Sequence, residues 1–259
     1  MSEKFISKGN NDKIFYLNIL KNNPNEYDAI LKLGLIEVRE KQLSSAKKYF
    51  KKLIKINEKK YEGHLNLSTI YSFEGDLLMA NNVLKNFLNN IEENLEIINA
   101  LAINLLNLQN FTELETHINK YIYKHQSHIL FYLKGYILTK ADKISESEDF
   151  FKKSINLNIN FWKNYEFLLK QYDKQSRLKD LKKLIDSAKT LFTKSPSLSY
   201  YESLYFFRVK DYKRSLNILN NNEIKNKFLL QQQESLQVDY LNLLSRVHEK
   251  LGFYNKSYS

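Results

Sequence analysis

Cysteine is absent from this sequence of 259 residues. Disulfide bonds and metal sites built from thiolates are therefore excluded. Proline occurs only twice and glycine only six times, which is few for a chain of this length. Because β-rich proteins place these residues at many of their turns, their scarcity favours helices joined by short loops. We therefore expect an all-α protein.

Long hydrophobic runs are also missing. The first residues, MSEKFISKGNNDK, contain no apolar stretch of the kind found in a signal peptide. No later segment approaches the roughly 20 apolar residues of a membrane-spanning helix, and the mean hydropathy is −0.50. From these observations we predict a cytoplasmic protein with no membrane partner.

Positive charge is in excess, with 40 Lys and Arg against 29 Asp and Glu and a net charge of +11. Such a balance makes nucleic acid a candidate partner. However, the lysines are spread along the chain, and the densest run, KKYFKKLIKINEKK from Lys47, alternates with apolar residues at helical spacing. No pair of base-reading residues recurs at fixed positions. We interpret the lysines as solvated helix faces and predict no nucleic-acid partner.

Small and large residues recur with a period of about 34 residues. The first register of small residues is Gly34, Ser68, Ala102, Gly135, Leu169, Ser203 and Ser245. A second follows at Ala46, Ala80, Leu114, Ser147, Leu181, Ser215 and Ser257, and a third, large and apolar, at Phe50, Leu84, Ile118, Phe151, Ile185 and Leu219. A fourth marks the predicted start of each second helix, at Leu43, Leu77, Phe111, Ile144, Leu178, Tyr212 and Tyr254. A period of this length accommodates two antiparallel helices, which cross where the small residues meet.

These repeats resemble the tetratricopeptide repeat family. The resemblance is carried by LKLG at Leu31–Gly34, LNLSTIY at Leu65–Tyr71, EGDLLMA at Glu74–Ala80, FYLKGYIL at Phe131–Leu138, KDYKRSL at Lys210–Leu216 and EKLGFYNKS at Glu249–Ser257. It implies an all-α, right-handed α-solenoid of about six to seven antiparallel helix hairpins. It also implies a scaffold that binds other proteins.

The chain is predicted to hold an N-terminal capping helix and tail at residues 1–24 and a repeat array at 25–259. The repeats are expected near 27–60, 61–94, 95–127, 128–161, 162–195, 196–237 and, incomplete, 238–259. The capping helix would cover the first repeat with Ile14, Phe15, Ile19 and Leu20. The additional residues before the last repeat would lengthen its helices or a loop. Because the sequence stops where a second helix should start, we expect a longer parent protein.

No catalytic motif is found. None of the glycines belongs to a phosphate-binding GxxxxGK[ST] or GxGxxG pattern, and no GxSxG is present. Glu146, Glu148 and Asp149 lie beside lysines and are interpreted as solvated surface. We predict that this chain is not an enzyme.

The histidines do not predict a metal site. His64 and His248 occupy inward positions of the repeat and are predicted to be buried. His125 and His128 lie close together but are expected to lack a carboxylate or a third ligand nearby. We therefore expect neither a metal nor a cofactor.

In the family that these repeats resemble, the first helices of successive hairpins line a concave groove. The implied ligand-binding residues are Leu31, Leu35, Arg39, Leu65, Thr69, Phe73, Asn99, Ile103, Leu106, Tyr132, Tyr136, Lys140, Lys170 and Lys174. The earlier ones are apolar or aromatic and the later ones basic, which predicts a protein or peptide ligand with apolar anchors and an acidic stretch. Tyr132 and Tyr136, on one helical face, are the expected anchors. The alternative is that these side chains merely cover neighbouring hairpins.

Two further functions were weighed against this one. Some family members bind the C-terminal carboxylate of chaperones through Lys and Asn, but the matching positions here are Leu31 and Leu35, which argues against that subtype. Alternatively, the repeats resemble those that precede a sulfotransferase domain in bacterial proteins. In that case the chain would be the regulatory or substrate-recruiting region of an enzyme whose catalytic domain lies beyond residue 259.

Overall fold

The computed structural model describes residues 2–193, 195–221 and 234–252, and this part of the chain is helical without a β-strand. The helices are α1 (Ser2–Asn22), α2 (Tyr27–Arg39), α3 (Leu43–Ile56), α4 (Tyr61–Phe73), α5 (Leu77–Asn90), α6 (Leu95–Asn107), α7 (Phe111–Tyr121), α8 (His128–Lys140), α9 (Ile144–Leu157), α10 (Trp162–Lys174), α11 (Leu178–Lys189), α12 (Pro196–Arg208), α13 (Tyr212–Leu219) and α14 (Glu234–Lys250). The predicted all-α repeat fold is confirmed. Over the described ranges no helix is both long and apolar enough to cross a bilayer.

The second helix of each described hairpin begins at the residue that the fourth register predicts. These starts are Leu43, Leu77, Phe111, Ile144, Leu178 and Tyr212, whereas Tyr254 lies outside the described residues. Part of the reason is local, because Asp76, Asn110 and Asp211 accept a backbone N–H of the following helix. A cap of this kind contributes about 1 kcal/mol.

The turn before each second helix contains one residue in the left-handed region of backbone space. These residues are Lys41, Gly75, Gln109, Asp142, Ser176 and Lys210, with φ between 55° and 86°. Only one of them is glycine, although the left-handed conformation costs other L-residues about 1–2 kcal/mol. Each hairpin therefore turns in the same way even where its sequence disfavours the turn.

The small residues of the first two registers meet in the hairpin formed by α12 and α13. The hydroxyl oxygens of Ser203 and Ser215 are 2.8 Å apart. In the first hairpin a third residue also matters, because a Cβ added to Gly34 would lie only 2.6 Å from Cε1 of Phe50. Glycine at position 34 thus makes room for the large ring of the third register.

The chain divides into two compact units, residues 1–137 and 138–259, with the boundary inside α8. The first unit has a core that includes Ile30, Phe50, Leu53 and Leu67, all buried. In the second unit Phe151, Leu169, Leu181 and Ile185 are buried, with Phe151 stacked on Phe167 at 5.1 Å between ring centroids. In each unit the buried positions follow the repeat period.

Helix α1 covers the first repeat with a different face from the one predicted. Lys13 forms ion pairs with Glu37 at 2.8 Å and Glu40 at 2.6 Å, and Leu20 packs against the core of the first unit. Ile14 and Phe15 were expected to be buried, but they are 57% and 59% exposed. The prediction for these two residues was wrong, because α1 faces α2 and the core with the side that carries Lys13 and Leu20.

The last described helix, α14, starts at Glu234, earlier than the expected 238. Some of the additional residues before the last repeat therefore lengthen a helix, which is one of the two predicted outcomes. Residues 222–233 lie outside the described part of the chain. In α12, Glu202 stands where a core leucine is usual, and its carboxylate is satisfied by an ion pair with Lys189.

Candidate functional site

In the first unit, the helices α2, α4 and α6 present large apolar side chains to solvent. Leu35 and Ile103 are 39% and 40% exposed, although their helices bury the residues on either side of them, and Phe73 is 80% exposed. Leu35 and Ile103 occupy the same position of the repeat, with Thr69 between them in register. Single exposed apolar residues are normal, but recurrence at one register makes a surface. We call Leu35, Thr69, Phe73 and Ile103 the inner surface.

The helices α4 and α6 lie side by side, joined by buried polar groups. The hydroxyl of Ser72 donates to Oδ1 of Asn104 at 3.0 Å, and Nδ2 of Asn104 approaches Oγ of Ser68 at 3.5 Å. These bonds hold Phe73 and Ile103 on neighbouring helices of one surface. Sequence reasoning missed Asn104. The sequence did mark this position, because Asn104 is a polar amide at a register where the preceding repeats have Ile36 and Ile70.

Other predicted residues of the first unit are partly used by the fold itself. Leu31, Leu65 and Leu106 are half-buried. Two polar members have partners as well: Thr69 donates to the carbonyl of Leu65 at 2.8 Å, and Oδ1 of Asn99 accepts from Ser127 at 2.7 Å. A ligand would meet mainly the apolar members of the predicted set.

The predicted tyrosine anchors do not lie equally open. Tyr132 is only 8% exposed, whereas Tyr136 is half-buried. We correct the expectation that Tyr132 is an open anchor. A spacing of four residues places two side chains on one helical face, but it does not determine how deeply neighbouring helices bury each of them.

Helix α1 completes a cavity at one end of the inner surface. The cavity has a volume of about 290 Å³ and is lined by Asp12, Tyr16, Lys32, Leu35, Ile36 and Arg39. Leu35 and Arg39 belong to the predicted set. Asp12 and Tyr16 could not be found from sequence, because they reach the site only through the packing of α1. Lys32 could have been predicted, because it lies one helical turn before Leu35 on α2 and therefore on the same face.

In the second unit, α10 carries a row of exposed lysines. Lys170 and Lys174 were predicted, and Lys163 extends the row by two turns of the helix. Glu166 is half-buried beside them. Burial raises the pKa of Glu166, and Lys170 and Lys163 partly offset that effect. Lys140, also predicted, is exposed at the end of α8.

A buried ionic cluster in the second unit surrounds Glu148. Arg177 donates to its carboxylate at 2.6 Å and Tyr172 at 2.8 Å, while Lys152 pairs with it at 2.7 Å. Burial alone would raise the pKa of Glu148, but these hydrogen bonds outweigh it and lower the pKa to about 2. The prediction of a solvated Glu148 was wrong. Its carboxylate oxygens are already bonded, so the cluster fastens α9 to α10 and to the turn before α11.

The prediction that His64 is buried is confirmed. His64 is buried, and its Nε2 donates to the carbonyl of Glu58 at 3.1 Å. His125 lies 3.0 Å from a carboxylate oxygen of Glu93. Within the described ranges no group of three or more His, Asp or Glu side chains is placed to hold a metal ion.

Comparison with known proteins supports the repeat assignment. Residues 27–60, the first hairpin, match the family model described as tetratricopeptide repeat. Among solved structures, a tetratricopeptide repeat protein from Parabacteroides merdae is similar, with a TM-score of 0.60 and 17% identity over 95% of both chains. No curated protein sequence matches the chain.

Two further solved structures share the fold. One is a chain of the APC/C hetero-tetramer Cut9-Hcn1, with a TM-score of 0.67 and 14% identity over 92% of this chain. The present chain spans only 46% of that protein's length. The other is YrrB, described as a TPR protein with an unusual peptide-binding site, with a TM-score of 0.51 and 10% identity over 72% of this chain and 97% of that one. At such identities the likeness shows the fold alone, which is an all-α repeat fold.

Proposed function

We propose that this protein is a non-enzymatic, cytoplasmic interaction module that binds an extended or helical peptide of a protein partner on the inner surface. The observation that carries the proposal is the recurrence of exposed Leu35 and Ile103 at one register, with the open ring of Phe73 beside them. A helix face that meets only solvent is usually polar. The peptide-binding site named for YrrB, which has a similar fold, supports this choice of ligand.

The exposed side chains indicate the strength of such an interaction. Fully burying a Leu, Ile or Phe side chain contributes about 1.5–3 kcal/mol, and Phe73 has most of that contribution still available. Leu35 and Ile103 are already more than half buried and contribute less each. Together the three anchors supply about 2–5 kcal/mol before the costs of ordering a peptide, so they account for weak, millimolar binding, and a tighter complex needs further contacts.

The charges around the cavity of α1 and α2 suggest the chemistry of the peptide. Lys32 and Arg39 flank Leu35, against a single carboxylate from Asp12. An acidic residue next to an apolar anchor would complement this end of the inner surface. Surface charges of this kind mainly set association rate and salt dependence.

Peptides selected from a displayed random library on the wild-type protein provide the test. Their affinity is measured by fluorescence polarisation for the wild type and for Leu35→Ser/Phe73→Ser/Ile103→Ser. We expect a loss of tenfold or more, because each lost anchor costs about 1 kcal/mol or more. Leu157→Ser/Ile159→Ser is the matched control, since both of its residues are exposed apolar side chains of the second unit.

Equal affinity of the two variants would refute the inner surface as the binding site. Substituting Tyr132 is a poorer test, because its ring is buried and its loss would weaken the fold. The hypothesis of a sulfotransferase-type parent enzyme remains a prediction from sequence. Reading the coding sequence after residue 259 tests it.

A further inference from the structure

The second helix of the first hairpin, α3, carries a row of unpaired lysines. Lys47 pairs with Glu74 at 2.9 Å, and Lys52 donates to the carbonyl of Pro24. Lys48, Lys51 and Lys55 are exposed and form no ion pair with any residue that the structure describes. Spaced by three and four residues, they share one face of the helix. Among the residues that the structure describes, the fold therefore gives these three neighbouring positive charges no ion-pair partner.

Exposed apolar side chains lie on two other helices, α1 and α5, which pack against the same core as α3. Helix α1 reaches the core around Phe50 through Leu20, and α5 reaches it through Val83. On α1, the exposed Ile14 and Leu17 line an open cavity of about 440 Å³ together with Asn18, Leu20 and Lys21. On α5, Leu78 is 70% exposed and Met79 is also open. We call Ile14, Leu17, Lys48, Lys51, Lys55, Leu78 and Met79 the outer surface.

The outer surface belongs to a different layer from the inner surface. Helices α3 and α5 are the second helices of their hairpins, and α1 precedes α2 as α3 precedes α4. The residues of the inner surface, including Leu35, Phe73 and Ile103, lie instead on the first helices α2, α4 and α6. The nearby carboxylates of Glu74 and Glu113 are neutralised by Lys47 and Lys85. The outer surface is therefore basic and apolar at once, and independent of peptide binding.

We propose that the outer surface binds the anionic headgroups of a phospholipid membrane. Lys48, Lys51 and Lys55 contact lipid phosphates and carboxylates, while Ile14 and Leu78 enter the boundary between headgroups and acyl chains. Such contact needs no spanning segment, so the lack of long apolar runs does not oppose it. The proposal departs from the sequence prediction of no membrane partner, which rested on the absence of a membrane-spanning run of apolar residues.

The apolar residues favour lipid over nucleic acid. A phosphate backbone would satisfy the lysines but would gain nothing from Leu78 or Ile14. Proteins that bind single-stranded nucleic acid add aromatic side chains on which bases stack. The exposed face of α3 offers none, because Tyr49 and Phe50 are turned inward.

Co-sedimentation with vesicles tests the proposal on the full chain. Vesicles of phosphatidylcholine containing phosphatidylserine are compared with vesicles of phosphatidylcholine alone. Each lysine near an anionic surface contributes about fivefold to binding, so Lys48→Gln/Lys51→Gln/Lys55→Gln should lose about a hundredfold. The control Lys179→Gln/Lys183→Gln/Lys213→Gln removes the same charge from exposed positions of α11 and α13. It should lose only a fewfold.

A second pair of variants separates membrane from nucleic acid. Leu78→Ser/Met79→Ser should weaken vesicle binding several-fold, whereas Leu157→Ser/Ile159→Ser, which alters exposed apolar residues elsewhere, should not. Circular dichroism of every variant verifies unchanged helicity. Three results would each overturn the proposal: no binding of the wild type to phosphatidylserine vesicles, equal losses in the two lysine variants, or binding of an RNA oligonucleotide in place of vesicles with no effect of Leu78→Ser/Met79→Ser.

Discussion

Replacing Gly34 by alanine has two opposing effects on stability, a steric clash with Phe50 and a gain in helix propensity. The added Cβ would lie 2.6 Å from Cε1 and 2.9 Å from Cζ of Phe50. Carbon atoms pack at about 3.5–4.0 Å, so the ring must move by about 1 Å. Phe50 is fully buried in the core of the first unit, so this movement must displace the side chains packed against it.

The expected magnitude follows from these opposing terms. Overpacking of a core costs about 1–3 kcal/mol, while alanine gains about 1 kcal/mol over glycine in a helix interior. We therefore expect Gly34→Ala to destabilise the protein by up to about 2 kcal/mol. Gly63→Ala is the comparison, because its Cβ would lie at the looser distance of 3.0 Å from Cγ1 of Ile54. It should be less destabilising.

Urea unfolding followed by circular dichroism measures both variants, and a double-mutant cycle tests the cause. Phe50→Leu removes the ring that the added methyl group would strike, so it should cost less stability in the Gly34→Ala background than in the wild type. The steric reasoning is refuted if Gly34→Ala is more stable than the wild type. It is equally refuted if Phe50→Leu costs the same in both backgrounds.

Three further predictions concern charge, buried amides and turns. The pKa of Glu148 is depressed from 4.5 to about 2. Its stabilising contribution is therefore present above pH 4.5 and lost as the pH falls towards 2. Over that pH range the urea midpoint of Glu148→Gln should vary less than that of the wild type. Asn104→Ala should lower the melting temperature more than Asn81→Ala, because Asn104 accepts a buried hydroxyl whereas Oδ1 of Asn81 is without a partner among the described residues. Lys41→Gly should raise the melting temperature and Gly75→Ala should lower it, since both positions have positive φ; opposite signs would contradict the turn geometry.

Sequence alone determined where the helices begin and which residues recur. Asp76 and Asn110 cap the helix that follows them, and a cap acts over three residues of chain. The small residues Ser203 and Ser215 meet because a hairpin of fixed length brings positions twelve residues apart to its crossing point. These features depend on short sequence stretches that repeat, so they can be predicted from one sequence.

Only part of the candidate site could be predicted from the sequence. Leu35, Phe73 and Ile103 were predicted and are exposed, because helical periodicity separates the buried side of α2, α4 and α6 from the open side. Tyr132 was predicted by the same periodicity but is buried. The depth of a side chain depends on helices that the local pattern does not include.

Tertiary structure decided the remaining features, which join residues far apart in the chain. Glu148 meets Arg177, 29 residues away, and Lys13 meets Glu40, 27 residues away. The first contact buries a carboxylate that looked solvated, and the second turns α1 so that Ile14 is exposed. Packing likewise pairs Lys47 with Glu74 and leaves Lys51 unpaired. Composition gives the number of charges, and hydrophobic periodicity predicts which side of a helix is buried. Only the packing of hairpins against one another determines which charges form ion pairs and which helix face remains exposed.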